Sequence, residues 1–271
     1  MAVSDFLGRL PSKIMARTAK LRSWLFERAL ERKTRVRHQG KTIFTMRNYG
    51  WTTEKRARTF SSKEPETLRW IDRFANDDIL MDIGANVGIY TLYAASRGHR
   101  VIAFEPDALN FALLNLNIMD NGYGDLLTAY PFSLHRESLI AELHVADYGW
   151  GGSGRSFGRN LDWKGLEFDA TFRQGSAGIS VDEFVSQTGT CPAHIKIDVD
   201  GNEIFVLEGS AATLADPTVK SVLIELFDGH SQYEKCVQLI EDAGFKLIER
   251  VAWANAVRKK RVASENHIFT R

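Results

Sequence analysis

The sequence predicts an α/β fold: a mostly parallel sheet with helices on both faces, preceded by a basic helical N-terminal extension. Three observations carry that prediction. From residue 78 onward, short apolar runs alternate with helical periods, the pattern of repeated βα units. A glycine turn, "MDIGANVG", joins the first of those runs to the helix after it. Charge divides the chain: residues 1–60 hold fifteen Lys and Arg against four Asp and Glu, although the totals are 35 and 34.

The elements follow in order. Ile14, Thr18, Leu21, Leu25 and Ala29 recur at helical spacing, with Lys13, Arg17, Lys20, Arg28, Arg32 and Lys33 on the other face. This spacing predicts a basic amphipathic helix over residues 12–37. Such a helix packs on the main domain, pairs two copies into a homo-oligomer, or makes peripheral contact with an anionic membrane. No nucleic-acid motif accompanies the charge, so a nucleic-acid partner is not expected. Residues 36–47 read as a hairpin about Gln39-Gly40, and residues 48–62, polar and basic, as a linker. Residues 1–62 thus form an N-terminal unit and residues 63–271 the main domain. A helix over 64–74 opens with Pro65 in its first turn.

In the main domain, strands are predicted at 79–83, 100–104, 126–132, 193–199, 219–227, 245–252 and 265–269. Helices fill 87–97, 108–119, 203–214 and 232–243. Residues 139–145 and 170–172 look extended. Between them "YGWGGSG" packs four glycines and two aromatics into seven residues, the composition of a mobile loop and a candidate acceptor lid. Deleting 151–154 is expected to impair acceptor turnover and leave cofactor affinity intact.

Composition narrows the function. With 44% hydrophobic and 25% charged residues, the 271-residue chain is globular. Two distant cysteines, Cys191 and Cys236, exclude a disulfide framework and a cysteine zinc site and point to a reducing compartment. No apolar run reaches the roughly 18–20 residues of a membrane span. Arg9, Lys13 and Arg17 interrupt any secretory h-region, so a cytoplasmic location is expected.

Three blocks carry chemistry. In the first, Gly84 permits a tight turn and Gly88 a close helix approach, but the spacing is not the dinucleotide G-x-G-x-x-G. Asp82 precedes the first glycine, which suits a cationic ligand with an amino-acid moiety, and S-adenosylmethionine fits better than NAD. In the second, Glu105 ends the next strand 21 residues after Gly84, where a carboxylate can accept from both ribose hydroxyls. Asp82→Ala or Glu105→Ala is expected to abolish cofactor binding without unfolding the chain. In the third, "HIKIDVDGNE", Lys196, Asp198 and Asp200 alternate and so share one strand face. Burying them there costs several kcal/mol unless they pair or meet a ligand.

The strings "MDIGANVGIYT", "VIAFEPDALNFALLNLNI", "SVDEF", "IKIDVDGNEIFVLEGSAATL", "LIEL" and "NHIFTR" together resemble the FkbM family of S-adenosylmethionine-dependent methyltransferases. The resemblance runs from about residue 66 to residue 271. It implies a class I methyltransferase (Rossmann-like) fold, with a seven-stranded sheet and one antiparallel strand near its end. It also implies O-methylation of a sugar or secondary metabolite. By that likeness Asp82, Gly84, Ala85, Asn86 and Gly88 line the methionine end of the cofactor. Glu105 holds the ribose, Pro106 also belongs to the cofactor site, and Phe132 and Ser133 lie where such folds contact adenine. The family usually has Glu where this chain has Asp200, a shorter reach.

Methyl transfer is in-line, so alignment supplies most of the acceleration, and a hydroxyl acceptor also needs a base. Asp198, at a strand end facing the cofactor, is the first candidate base and His230 the second, ahead of His135 and Glu225. No fixed metal-ligand spacing is present, so no metal is expected. The partner is then a small-molecule or glycan acceptor. Two alternatives remain open on sequence alone: a membrane- or partner-recruited scaffold with a vestigial methyltransferase core, and an NAD-dependent oxidoreductase.

Overall fold

The computed structural model describes residues 18, 20–24, 32–252 and 264–271. Most of the basic helix expected over 12–37 lies outside them. Residues 18 and 20–24 are helical, but residues 33–37 are strand, so the helix does not run through to residue 37.

The hairpin forms as expected. Strands β1 (Lys33–His38) and β2 (Lys41–Arg47) pair antiparallel. Gln39 and Gly40 both have positive φ, 49° and 79°, as a two-residue turn between twisted strands requires. Residues 48–62, expected as a linker, are instead largely helix α1 (Trp51–Lys63). Its buried stripe is Thr53, Ala57 and Phe60, spaced four and three apart, so one large apolar residue suffices to seat it. Helix α2 (Pro65–Ile71) begins on Pro65.

The main sheet has seven strands. β3 (Ile79–Ile83), β4 (Arg100–Phe104), β5 (Leu127–Tyr130), β10 (His194–Ile197) and β11 (Ser221–Leu226) are mutually parallel. β13 (Glu265–Thr270) runs antiparallel between β11 and β12 (Lys246–Ala252), giving the order β12-β13-β11-β10-β3-β4-β5. This is the single antiparallel strand near the sheet end that the family resemblance implied.

Both faces are covered. Leu80, Val101, Ala103 and Leu127 point to one side, where the hairpin, α1, α2, α3 (Ile89–Ser96) and α4 (Ala108–Asn121) pack. Met81, Ile83, Ile102, Phe104, Ile195 and Ile197 point to the other, toward α5 (Val181–Thr188), α6 (Glu203–Glu208), α7 (Ala211–Ala215) and α8 (Tyr233–Asp242). Apolar residues on alternate faces of one strand are what a doubly covered parallel sheet demands. The helix expected over 203–214 breaks at Gly209, where a side chain would meet the His135 carbonyl.

Between β5 and β10 a second, four-stranded sheet is inserted, ordered β6-β9-β7-β8. It comprises β6 (Ser133–Leu134), β7 (Leu139–Val145), β8 (Arg155–Phe157) and β9 (Phe172–Ile179). The glycine-rich segment 148–154 joins β7 to β8 and lies over the carboxyl ends of the main strands. Helix α5, which the sequence reading did not place, carries its own signal: Ser180 caps it by accepting from the Glu183 N–H at 3.1 Å. Among the described residues, no helix is long and apolar enough to cross a membrane.

Candidate active site

The turn after β3 is built on close approach. Gly84 has φ 84°, and a Cβ there would lie 1.8 Å from the Asp198 carbonyl oxygen. Only glycine lets the β3 turn touch the end of β10. The N–H groups of Gly84 and Ala85 both reach the Phe104 carbonyl, at 3.0 and 2.9 Å. Asn86 also takes a positive φ, 52°. Gly88 serves packing: a Cβ there would sit 2.4 Å from Leu114 Cδ1 on α4.

Glu105 closes this turn from β4. Its carboxylate accepts from the Asn86 N–H at 2.8 Å and the Asp107 N–H at 2.9 Å. Burial pushes its carboxyl up to about 7, against the pull of those two donors. Gly84, Asn86, Glu105, Pro106, Phe132 and Ser133, six of the nine residues expected at the cofactor, line one cleft of about 140 Å³. Ala85 and Gly88 do not line it; Ala85 packs in the apolar core. Asp82 does not line it either. It is 1% exposed, accepts from Thr91 Oγ1 at 2.5 Å and faces Lys196 across the β3–β10 pair. It braces the sheet beneath the turn.

The third block separates at the strand end. Lys196, 2% exposed, reaches Asp198 at 2.9 Å and lies 5.3 Å from the Tyr90 ring centre. Burial alone would raise the Asp198 carboxyl, but the Lys196 ammonium and the Glu225 carboxyl outweigh it and hold Asp198 well below the usual range. Glu225 on β11 goes the opposite way: burial, then the Asp198 charge, push it well up. The pair therefore keeps one proton, on Glu225. Asp200 is not on the strand with Lys196. It sits beyond it at φ 53° and accepts from the Gly154 N–H at 2.6 Å.

That bond is one of several that tie the glycine-rich segment down. Asn86 Nδ2 donates to the Gly152 carbonyl at 2.7 Å, Gly151 N–H to Asn110 at 2.8 Å, and Arg56 Nε to the Gly151 carbonyl at 2.7 Å. Arg155, 7% exposed, bonds Asp107 at 3.1 Å and the carbonyls of Ser153 and Gly149. The expected mobile loop is an ordered strap over the Gly84 turn.

A second cavity, of about 360 Å³, adjoins the first. Ser153, Asp198, Asp200 and Glu225 line both. Trp163, Phe227 and Tyr233 supply its aromatic walls, and His230 stands in its lining as well. Glu203, also in the wall, accepts from the Gly201 N–H at 3.0 Å, and burial raises its carboxyl to about 7. His230 Nδ1 accepts from the Gln232 N–H at 3.1 Å, so the neutral ring carries its proton on Nε2. Burial lowers its pKa and keeps it neutral. His135 lines neither cavity; it packs against Phe205.

The profile of the methyltransferase FkbM domain matches residues 82–247, more than half of the chain. The chain belongs to the FkbM methyltransferase family. "Methyltransferase 1" of Beauveria bassiana (strain ARSEF 2860) is 26% identical over 196 residues, 67% of this chain and 78% of that protein. Among solved structures, the chain is similar to precorrin-6y C5,15-methyltransferase from Geobacter metallireducens GS-15, at 14% identity and TM-score 0.42, covering 81% of this chain and 88% of that one. It is also similar to a TehB-like SAM-dependent methyltransferase from Corynebacterium glutamicum, at 13% identity and TM-score 0.40, covering 76% and 86%. The FkbM family's methyl donor is S-adenosylmethionine, and with that assignment the nicotinamide alternative falls away.

The cleft suits that donor. The Ser133 hydroxyl is 6% exposed, lines the cleft and has no hydrogen-bond partner among the described residues, so the cleft holds an unmet polar contact where adenine was expected. Glu105 presents a buried carboxyl to the same cleft, where the ribose was expected. Sequence reasoning missed Arg56 and Lys63 of α1, Asn110 and Arg155, all of which line the cleft. Asn110 follows directly from "FEPDALN", where Asp107 caps α4 by accepting from the Asn110 N–H. Arg56 and Lys63 carried no motif.

Proposed function

We propose that this FkbM methyltransferase methylates a hydroxyl group of a small molecule, a sugar or secondary metabolite, held in the 360 Å³ cavity. One observation carries the reading: the wall shared by the cofactor cleft and that cavity contains a carboxylate, Asp198, paired with Lys196 at 2.9 Å. S-adenosylmethionine, when bound, supplies an electrophilic methyl group. The chain's own residues then align the acceptor and manage its proton. Asp198 takes the hydroxyl proton, and Glu203, also in the cavity wall, offers a further site for it. His230 donates from Nε2 and orients the acceptor rather than acting as a base. Asn86, Glu105, Pro106, Phe132 and Ser133 hold the cofactor around the Gly84 turn.

The cavity's charge supports a small, uncharged or cationic acceptor. Asp198, Asp200, Glu203 and Glu225 line it, and among the described residues no Lys or Arg does. A phosphate-bearing acceptor, nucleic acid included, would meet repulsion there. The test is transfer of isotopically labelled methyl to a panel of neutral sugars, polyols and hydroxylated metabolites, with the product bond assigned by NMR. Label on oxygen, lost by about a hundredfold or more in Asp198→Asn while cofactor still binds, is expected. Label on nitrogen, carbon or RNA, or full turnover by Asp198→Asn, would overturn the reading. Cofactor binding by the wild type also separates an enzyme from a scaffold with a vestigial core.

A further inference from the structure

Beyond their shared wall the two cavities are lined differently. On the cofactor side stand three cations, Arg56, Lys63 and Arg155. On the acceptor side, among the described residues, no Lys or Arg lines the cavity, and burial keeps its His230 neutral. The charged group that belongs to the acceptor side alone is Glu203.

Glu203 opens α6 and is 9% exposed. It accepts from the N–H groups of Gly201 at 3.0 Å and Val199 at 3.3 Å, and both bonds fall on Oε1. That leaves Oε2 to meet a ligand. Around it the cavity is aromatic. Trp163 and Phe227 meet edge to face with ring centres 5.2 Å apart, and Tyr233, whose hydroxyl is fixed 3.1 Å from His267 Nε2, completes the wall. Lys164 and Arg250 lie over the Trp163 and Tyr233 rings at 4.9 and 5.8 Å. Neither cation lines the cavity, so the sides of the rings that do line it are not the sides these two cover.

Aromatic walls beside a buried carboxylate suit an alkylammonium ion. The rings attract the cation through their quadrupole, and the carboxylate supplies the counter-charge and a hydrogen-bond acceptor. A neutral sugar would stack on the same rings but leave Glu203, which already feels the charges of Asp200 and Asp198, without a counter-ion. We infer that the 360 Å³ cavity recognises its acceptor through a protonated amine, as in an amino sugar or amino alcohol, held between Glu203 and the aromatic wall of Trp163, Phe227 and Tyr233. The inference rests on the acceptor-cavity reading above and adds the group by which the acceptor is chosen. With the ammonium in place Glu203 is held ionised, and Asp198 alone takes the hydroxyl proton.

Calorimetry on the full chain loaded with S-adenosylhomocysteine tests it with amines and their alcohol counterparts: glucosamine and glucose, mannosamine and mannose, tyramine and tyrosol. At least one amine is expected to bind roughly tenfold or more tighter than its alcohol, the gain typical of a charged hydrogen bond. Glu203→Gln keeps an oxygen for the Gly201 and Val199 donors and removes the charge; it should bring that amine to within about twofold of its alcohol. Glu241→Gln, exposed on α8, should keep the full preference. Tyr233→Leu, run in parallel, leaves Glu203 untouched and should weaken the amine more than the alcohol; it decides the matter if Glu203→Gln does not fold. If no amine outbinds its alcohol, or the preference survives whole in either folded variant, the inference is wrong, and labelled methyl on the oxygen of neutral sugars would still uphold the hydroxyl reading. An amine preference without methyl transfer to any acceptor in the panel would keep this inference and sink that reading.

Discussion

Replacing Gly84 by alanine should be far more damaging than the same change at Gly98, and the structure gives the difference. Both glycines have positive φ, 84° and 93°. An alanine in that region costs about 1–2 kcal/mol at either site. At Gly98 nothing lies within 4 Å of the new methyl group, so the dihedral cost is the whole effect. At Gly84 the methyl would lie 1.8 Å from a backbone oxygen, Asp198 O, when such contacts stay beyond 3.0 Å. One strand end must retreat by more than 1 Å. That strains the Asp198 N–H to Ile83 carbonyl bond, now 3.0 Å, worth about 1 kcal/mol by itself. With about 1–3 kcal/mol more for forcing the packed strand ends apart, a total of about 3–6 kcal/mol follows for Gly84→Ala. In a thermal scan, Gly98→Ala should lower Tm by roughly 3–6 °C and Gly84→Ala by more than about 10 °C. The same retreat moves Asp198 from the Gly84 turn, the proposed cofactor site, so S-adenosylhomocysteine affinity by calorimetry should collapse in Gly84→Ala and hold in Gly98→Ala. If the two variants melt together and bind alike, the close approach is not what glycine secures at position 84.

Two further predictions concern the strap and the floor of the sheet. Deleting residues 151–154 removes the carbonyl that Asn86 and Asn110 grip, so the rate of S-adenosylhomocysteine release in stopped-flow should rise at least roughly tenfold; unchanged release would return the strap to an acceptor-only role. At the other end of the strands, His194 accepts from Ser221 at 2.7 Å, donates to Asp78 at 3.0 Å and stacks on Phe74, and burial lowers its pKa to about 4 from 6.5. The folded-state pKa is depressed, so its stabilisation is complete above pH 6.5 and disappears as pH falls toward 4, about 3 kcal/mol in all. Over the same window Glu105 and Glu203, both raised to about 7, stabilise the fold as pH falls, so the His194 contribution is read as the difference between wild type and His194→Gln in urea denaturation at pH 7 and pH 4.5; an identical pH response in the two would refute it. Asp78, held down to about 2 chiefly by Lys220 and His194 against the effect of burial, titrates below this window.

The catalytic half of the molecule was largely legible. Strands β3, β4 and β11 are largely apolar on both faces, a pattern with few readings, and Gly84 and Glu105 sit at fixed offsets from β3 and β4. Asp82 illustrates the limit. Its place before the glycine looked like ligand contact, but strand alternation turns its side chain toward Thr91 and Lys196, under the cleft. Alternation also misplaced Asp200, because β10 ends at Ile197 and the backbone reverses at Asp200. Helix α1 escaped because its buried stripe is Thr53, Ala57 and Phe60, weakly apolar against many cations. Arg56 and Lys63 therefore read as solvated charge. The strap looked mobile from its glycines; its order comes from partners 40 or more positions away, Asn86, Asn110 and Asp200, which local composition cannot report.

The place of β13 bears on how the protein is made. It slots between β11 and β12, both of which precede it in the chain. Until residues 265–270 have been translated, those two strands have nothing to bridge them and each offers an open row of N–H and C=O groups, the template on which nascent chains aggregate. The sheet, and with it the β11 position of Glu225 beside Asp198, is finished only when that segment is in place. Activity and protection from aggregation should therefore arrive together, when β13 inserts.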